Sequence, residues 1–166
     1  MTKRQVPDRR QLSGFDPSED PVLRLTGVNR ALEGLAIDVF NSMRDFGSAT
    51  RDPVLTFCED WMLADEVTHV KMGSDWLRRL TEQDPERRER ALEFQRTVDA
   101  IFNLGGFRGE DDDNPIQLAR DFRRLAGFTE DENDSLAELA RRSTEEARQM
   151  AEMATAALDS SAQAGG

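Results

Sequence analysis

Ala64-Asp65-Glu66-Val67-Thr68-His69-Val70 carries the single histidine of the chain, three residues after a glutamate. On a helix with 3.6 residues per turn, positions i and i+3 project from the same face, so a carboxylate oxygen and an imidazole nitrogen can converge on one cation. The surrounding residues predict that helix. Asp52-Pro53 is an N-cap followed by proline at the first helical position, and from there Phe57, Trp61, Met62, Glu66, His69, Trp76 and Leu80 follow to an end near Glu82.

Working outward, the same signals recur. Ser18 or Asp20 can cap a helix that starts at Pro21 and ends near Phe46, where Gly47-Ser48-Ala49-Thr50 is expected to break it. Asp84-Pro85 starts a third helix, which runs to Leu104 and stops at Gly105-Gly106. The acidic loop Gly109-Glu110-Asp111-Asp112-Asp113-Asn114-Pro115 leads to a short helix ending at Gly127. Thr129 and Glu132 form a capping box for a last helix to about Leu158. Five helices are expected, with a flexible arm over 1–18, one helical domain over 19–158 and a disordered tail over 159–166. No internal repeat and no strand-like alternation is visible.

Composition agrees with an all-α chain. The 166 residues are 37% hydrophobic and 33% charged, rich in Ala, Leu, Glu and Arg, and contain no Tyr. A net charge of −11 argues against nucleic acid or an anionic membrane surface as partner, since both are polyanions. No apolar run approaches the roughly 18 residues a membrane span needs, and the start MTKRQVPDRR lacks the apolar core of a signal peptide. A cytoplasmic protein without a membrane partner is expected. The single Cys58 cannot form an internal disulfide, and its helical apolar setting predicts a buried thiol. Met150 and Met153 are also expected in the core.

A second carboxylate joins the Glu-x-x-His pair. Glu33 lies 13 residues before the expected end of its helix, and Glu66 lies 13 residues after the start of the next, so in an antiparallel hairpin both stand roughly 20 Å from the turn. Glu33 has Ala36, Ile37 and Phe40 one or two turns on; Glu66 has Met62, Leu63 and Val70 around it. A bare carboxylate among such neighbours is costly unless paired or bound to a cation. Glu33, Glu66 and His69 are therefore the candidate metal ligands, and an oxygen and nitrogen donor set suits Fe, Mn or Zn. Asp65 is a candidate to orient His69. The same Glu66–His69 pair also fits a surface contact worth a few tenths of a kcal/mol. Glu59, one heptad before Glu66, reads as a further ligand or gate, or more simply as a salt-bridged or solvated residue. Asp38 reads as a surface or supporting group. Glu110 to Asp113 lack the spacing of an EF-hand and read as a solvated loop.

Asp65-Glu66-Val67-Thr68-His69-Val70-x-x-Gly73-x-x-Trp76, with Arg124-Leu125-Ala126-Gly127-Phe128-Thr129 later, resembles the C-terminal half of a bacterial ferritin-like family of unknown function. Glu33-Gly34-Leu35-Ala36-Ile37-Asp38 resembles its Glu-bearing helix, and the likeness covers roughly residues 30–130. It implies a ferritin-like helical bundle in which each half contributes a Glu and a Glu-x-x-His to a di-iron carboxylate site. This chain supplies one of each, so the resemblance implies an antiparallel helix hairpin completed by a second subunit, with extra C-terminal helices. The partner is expected to be a second copy in a homodimer, with two irons per dimer, or a different chain carrying the missing half.

The function this implies is O2-dependent oxidase or oxygenase chemistry, or ferroxidase chemistry, with Glu66 bridging the metals and Glu33 and His69 as terminal ligands. Two other expectations stand beside it. One is a non-catalytic helical partner subunit; the other is a mononuclear metal site on the same three side chains.

Overall fold

The computed structural model describes residues 15–16, 18, 20–103 and 105–164. The chain is mostly helical. Asp20 accepts from the Val22 N–H and starts α1, Pro21–Arg24, which passes without a break into a π-helical segment, Leu25–Leu32, and then α2, Glu33–Thr50. Asp52 Oδ1 accepts from the N–H groups of Val54 and Leu55 and starts α3, Pro53–Leu80. Asp84 caps α4, Pro85–Phe102, in the same way. Two residues, Arg108–Gly109 (β1), pair in parallel with Ile116–Gln117 (β2), a contact that no alternation in the sequence signals. The chain then forms α5, Arg120–Leu125, and α6, Glu130–Ala164, the latter opened by the expected Thr129/Glu132 capping box.

The first helix does not stop at Phe46. It runs through Gly47 to Thr50, because that glycine is a point of close packing: a Cβ there would sit 2.9 Å from the Thr56 amide nitrogen. The turn is made instead by Arg51 in the left-handed region at φ 59°, with Asp52 N–H donating to Gly47 O and Arg51 N–H to Ser48 O, a Schellman closure. Gly127, at φ 92°, closes α5 likewise, with Phe128 N–H on Arg123 O.

α2 and α3 form an antiparallel hairpin, and α4 lies against α1 and the π segment. Val22, Leu23, Ala31, Leu77, Ala91, Phe94 and Val98 make one core cluster there. A second cluster, Ile37, Leu63, Val70, Ala119, Ala126 and Phe128, seats the 119–128 stretch on one side of the hairpin. Between them runs a buried ionic network. Arg123 donates from Nε to Asp38 Oδ1 at 3.0 Å, from Nη2 to Asp38 Oδ2 at 2.9 Å, and to Gly34 O at 3.0 Å. Arg108 reaches Asp99 at 3.1 Å and Asp38 at 3.5 Å. Arg30 bonds Gln95, Ser74 and Glu132. Asp38, read from sequence as a surface or supporting group, is fully buried and locks α2 to α5.

Other expectations are also revised. Cys58 is exposed, as are Met150 and Met153, because none of the described residues covers the outer face of α3 or the far part of α6. α6 continues to Ala164, through residues expected to be a disordered tail, since Ser160-Ser161-Ala162-Gln163-Ala164 holds no helix breaker before Gly165. The expected flexible arm falls mainly outside the described residues, but Phe15 packs on Phe94 with ring centroids 5.1 Å apart.

Candidate metal centre

Glu33 opens α2, directly after the π segment, and Glu66 and His69 lie in the middle of α3. Two close approaches fix how the helices are aligned. A Cβ on Gly47 would meet Thr56, and a Cβ on Gly73 would meet Asn29 at 2.7 Å. Counting inward from these contacts sets Glu33 opposite His69, with Glu66 about one turn nearer the hairpin turn. The equal heights expected for Glu33 and Glu66 are thus corrected, and the cause is the additional turn of α2 beyond Phe46.

Glu66 nevertheless senses both of the others. The Glu66 side chain is 16% exposed, and burial, followed by the negative charge of Glu33, pushes its carboxyl above the ordinary range; His69 acts in the opposite sense. His69 is 48% exposed, with Nδ1 3.6 Å from Glu66 Oε2 and Nε2 3.8 Å from Asp65 Oδ2. The ring therefore turns one nitrogen to Glu66 and the other to Asp65. Glu33 accepts from Asn29 Nδ2 at 2.9 Å. Glu59 is half-buried, and its Oε2 is buried with no hydrogen-bond partner. Of the readings left open for Glu59, a salt bridge is not formed among the described residues.

These donors fit a divalent cation chemically. Two carboxylates, one of them raised by burial and by its neighbour, gain from a positive charge, and the adjacent imidazole adds a nitrogen ligand. Among the described residues, however, no three His, Cys, Asp or Glu side chains are gathered closely enough to hold a metal ion. A shallow open groove of about 700 Å³ lies at the hairpin turn, lined by residues such as Arg44, Arg51, Thr56 and Phe57, and includes none of the three candidate ligands.

The face around them is apolar and uncovered. Trp61 is 66% exposed and Phe57 72%, and Met62, Met72 and Trp76 on α3 are exposed as well. Val28, Met43 and Phe46 continue that exposure on the first helix. Met62, expected beside Glu66 on an apolar face, is among the exposed side chains. Among the described residues, no helix is long and apolar enough to cross a membrane.

Residues 15–134 match the family described as Protein of unknown function (DUF455), and the chain belongs to that family. No curated protein and no solved structure matches it.

Proposed function

We propose that this member of the DUF455 family binds iron at a di-metal carboxylate site shared between two subunits, with Glu33, Glu66 and His69 contributed by each. Two α2–α3 hairpins would close a ferritin-like four-helix bundle around the site. The observation that carries this reading is the placement of incompletely compensated acidic donors within an exposed apolar face. Isolated apolar residues on a surface are ordinary, whereas a continuous patch is a mark of an interaction site. A second hairpin laid on that face would bury the aromatic side chains and bring a second set of ligands to the first.

Iron in such a site supplies electrons to dioxygen, so the reaction class is ferroxidase, oxidase or oxygenase chemistry. The protein's part is to hold the cation with Glu33, Glu66 and His69, to keep His69 oriented through Asp65, and to exclude water with Trp61, Met62 and Trp76. Manganese or zinc would suit the same donors.

A second reading, a non-catalytic subunit whose apolar face docks a different helical chain, is favoured by the absence of a complete donor set among the described residues. Metal content and native mass after anaerobic iron loading separate the readings. Two irons per homodimer, lost in His69→Ala, support the shared site. One metal per monomer points to a mononuclear centre, and a well-folded chain that binds no metal supports the docking subunit.

A further inference from the structure

Asn29 lies in the π segment, four residues before Glu33, and is half-buried between the two helices of the hairpin. Its Nδ2 donates to Glu33 Oε2 at 2.9 Å. An ionised carboxylate only accepts, so the amide must present its NH2 group there, which fixes the orientation of Asn29. The stem of the side chain is fixed as well. It rests on α3 at Gly73, four residues after His69, where a Cβ would come within 2.7 Å of Asn29 Cβ. An i, i+4 amide–carboxylate pair on an open helix surface would be free to swing away. Here the pair is held between the helix that carries Glu33 and the one that carries His69, and a glycine makes room for it.

The backbone supports this placement. A π-helical stretch is rare, is often found beside functional sites, and here ends at the residue before Glu33. Across the same stretch Arg30 turns inward to Gln95, Ser74 and Glu132 while Asn29 stays on the hairpin seam. The π segment is therefore anchored on its inner side, and Asn29 inherits that rigidity.

We propose that Asn29 is a positioning residue for the metal centre: its carboxamide, seated on Gly73, holds Oε2 of Glu33 and leaves the other carboxylate oxygen to the cation. This rests on the metal reading above. Partners that orient a ligand in this way change metal affinity by about 10- to 100-fold when removed.

The test is Co(II) binding to the full chain by titration calorimetry, together with the Co(II) absorption bands, for the native protein, Asn29→Ala, Asn29→Leu and Gly73→Ala. Asn29→Leu keeps the volume and removes the donor. The expected result is Co(II) affinity weakened about 10-fold or more in both Asn29 variants, with shifted bands and unchanged helicity. Gly73→Ala should move the same readouts in the same direction. Native affinity and native bands in Asn29→Leu would overturn the proposal while leaving the metal reading intact. Loss of helical signal in both Asn29 variants would make the residue a fold determinant and also overturn it. A native protein that binds no Co(II) removes the metal reading itself, and this proposal with it.

Discussion

The Glu66 carboxyl is pushed up first by burial and then by the charge of Glu33. In the metal-free protein, kept so by a chelator, the folded chain holds that proton more tightly than the unfolded chain does. The cost of ionising Glu66 is therefore absent below the ordinary carboxylate range, grows as pH rises through the raised value, and is fully present at neutral pH. Glu66→Gln should stabilise the chelated protein at pH 7 and make little difference at pH 4, as read from melting temperatures across that range; a difference that does not vary with pH would show that Glu66 is not strained. Glu33, Glu66 and His69 were legible as candidates because side-chain chemistry and i, i+3 spacing are properties of the chain itself. Asp38 was not, since its partner Arg123 is 85 residues away and nothing local signals that both are buried. That pair gives a second expectation. Arg123→Met removes the two-pronged partner of buried Asp38, leaving it only Arg108 at 3.5 Å and the Ala119 N–H, and should cost about 3 kcal/mol in urea unfolding, while a further Asp38→Leu change should recover part of it.

At the level of elements, proline and aspartate marked the starts of helices reliably: Asp20-Pro21, Asp52-Pro53 and Asp84-Pro85 all open helices where expected. The ends were less legible, because glycine has two uses. Gly127 ends a helix through its positive φ, whereas Gly47 stays inside one to let α3 approach. The actual turn falls on Arg51, a residue with a Cβ in the left-handed region. Arg51→Gly should relieve that strain and stabilise the fold by about 0.5–1 kcal/mol, visible as a higher urea midpoint with an unchanged slope. The change also removes a side chain that lines the groove at the turn, so a loss of stability would mean that Arg51 contributes more by packing than it costs in backbone strain. The π segment has no sequence signature in Leu25-Thr26-Gly27-Val28-Asn29-Arg30-Ala31-Leu32; it follows from long-range anchoring of Arg30 and from the approach of Phe94 to Gly27.

At the scale of the whole molecule, α3 is helical as its periodicity predicts, and it carries apolar side chains on more than its inner face. Leu63, Val70 and Leu77, seven residues apart, face this chain's own core, and Phe57, Trp61, Met72 and Trp76 are exposed. Apolar side chains on two sides of one helix are the pattern of an element buried between two layers, and among the described residues only the inner side is covered. If a second copy supplies the other layer, the native mass is twice the 18.8 kDa of a single chain. Trp61→Glu then places a charge at the centre of the shared face and should cost about 2 kcal/mol or more, weakening dimerisation tens of fold. Because Trp61 is 66% exposed in the isolated chain, the variant should keep its helicity. Sedimentation at micromolar concentration is the direct measurement: a native dimer that becomes a folded monomer in Trp61→Glu, and loses its iron at the same time, ties the apolar face and the metal ligands to a single interface. A dimer that persists in the variant assigns the interface to another surface, such as the outward part of α6 with Met150 and Met153, and separates oligomerisation from metal binding.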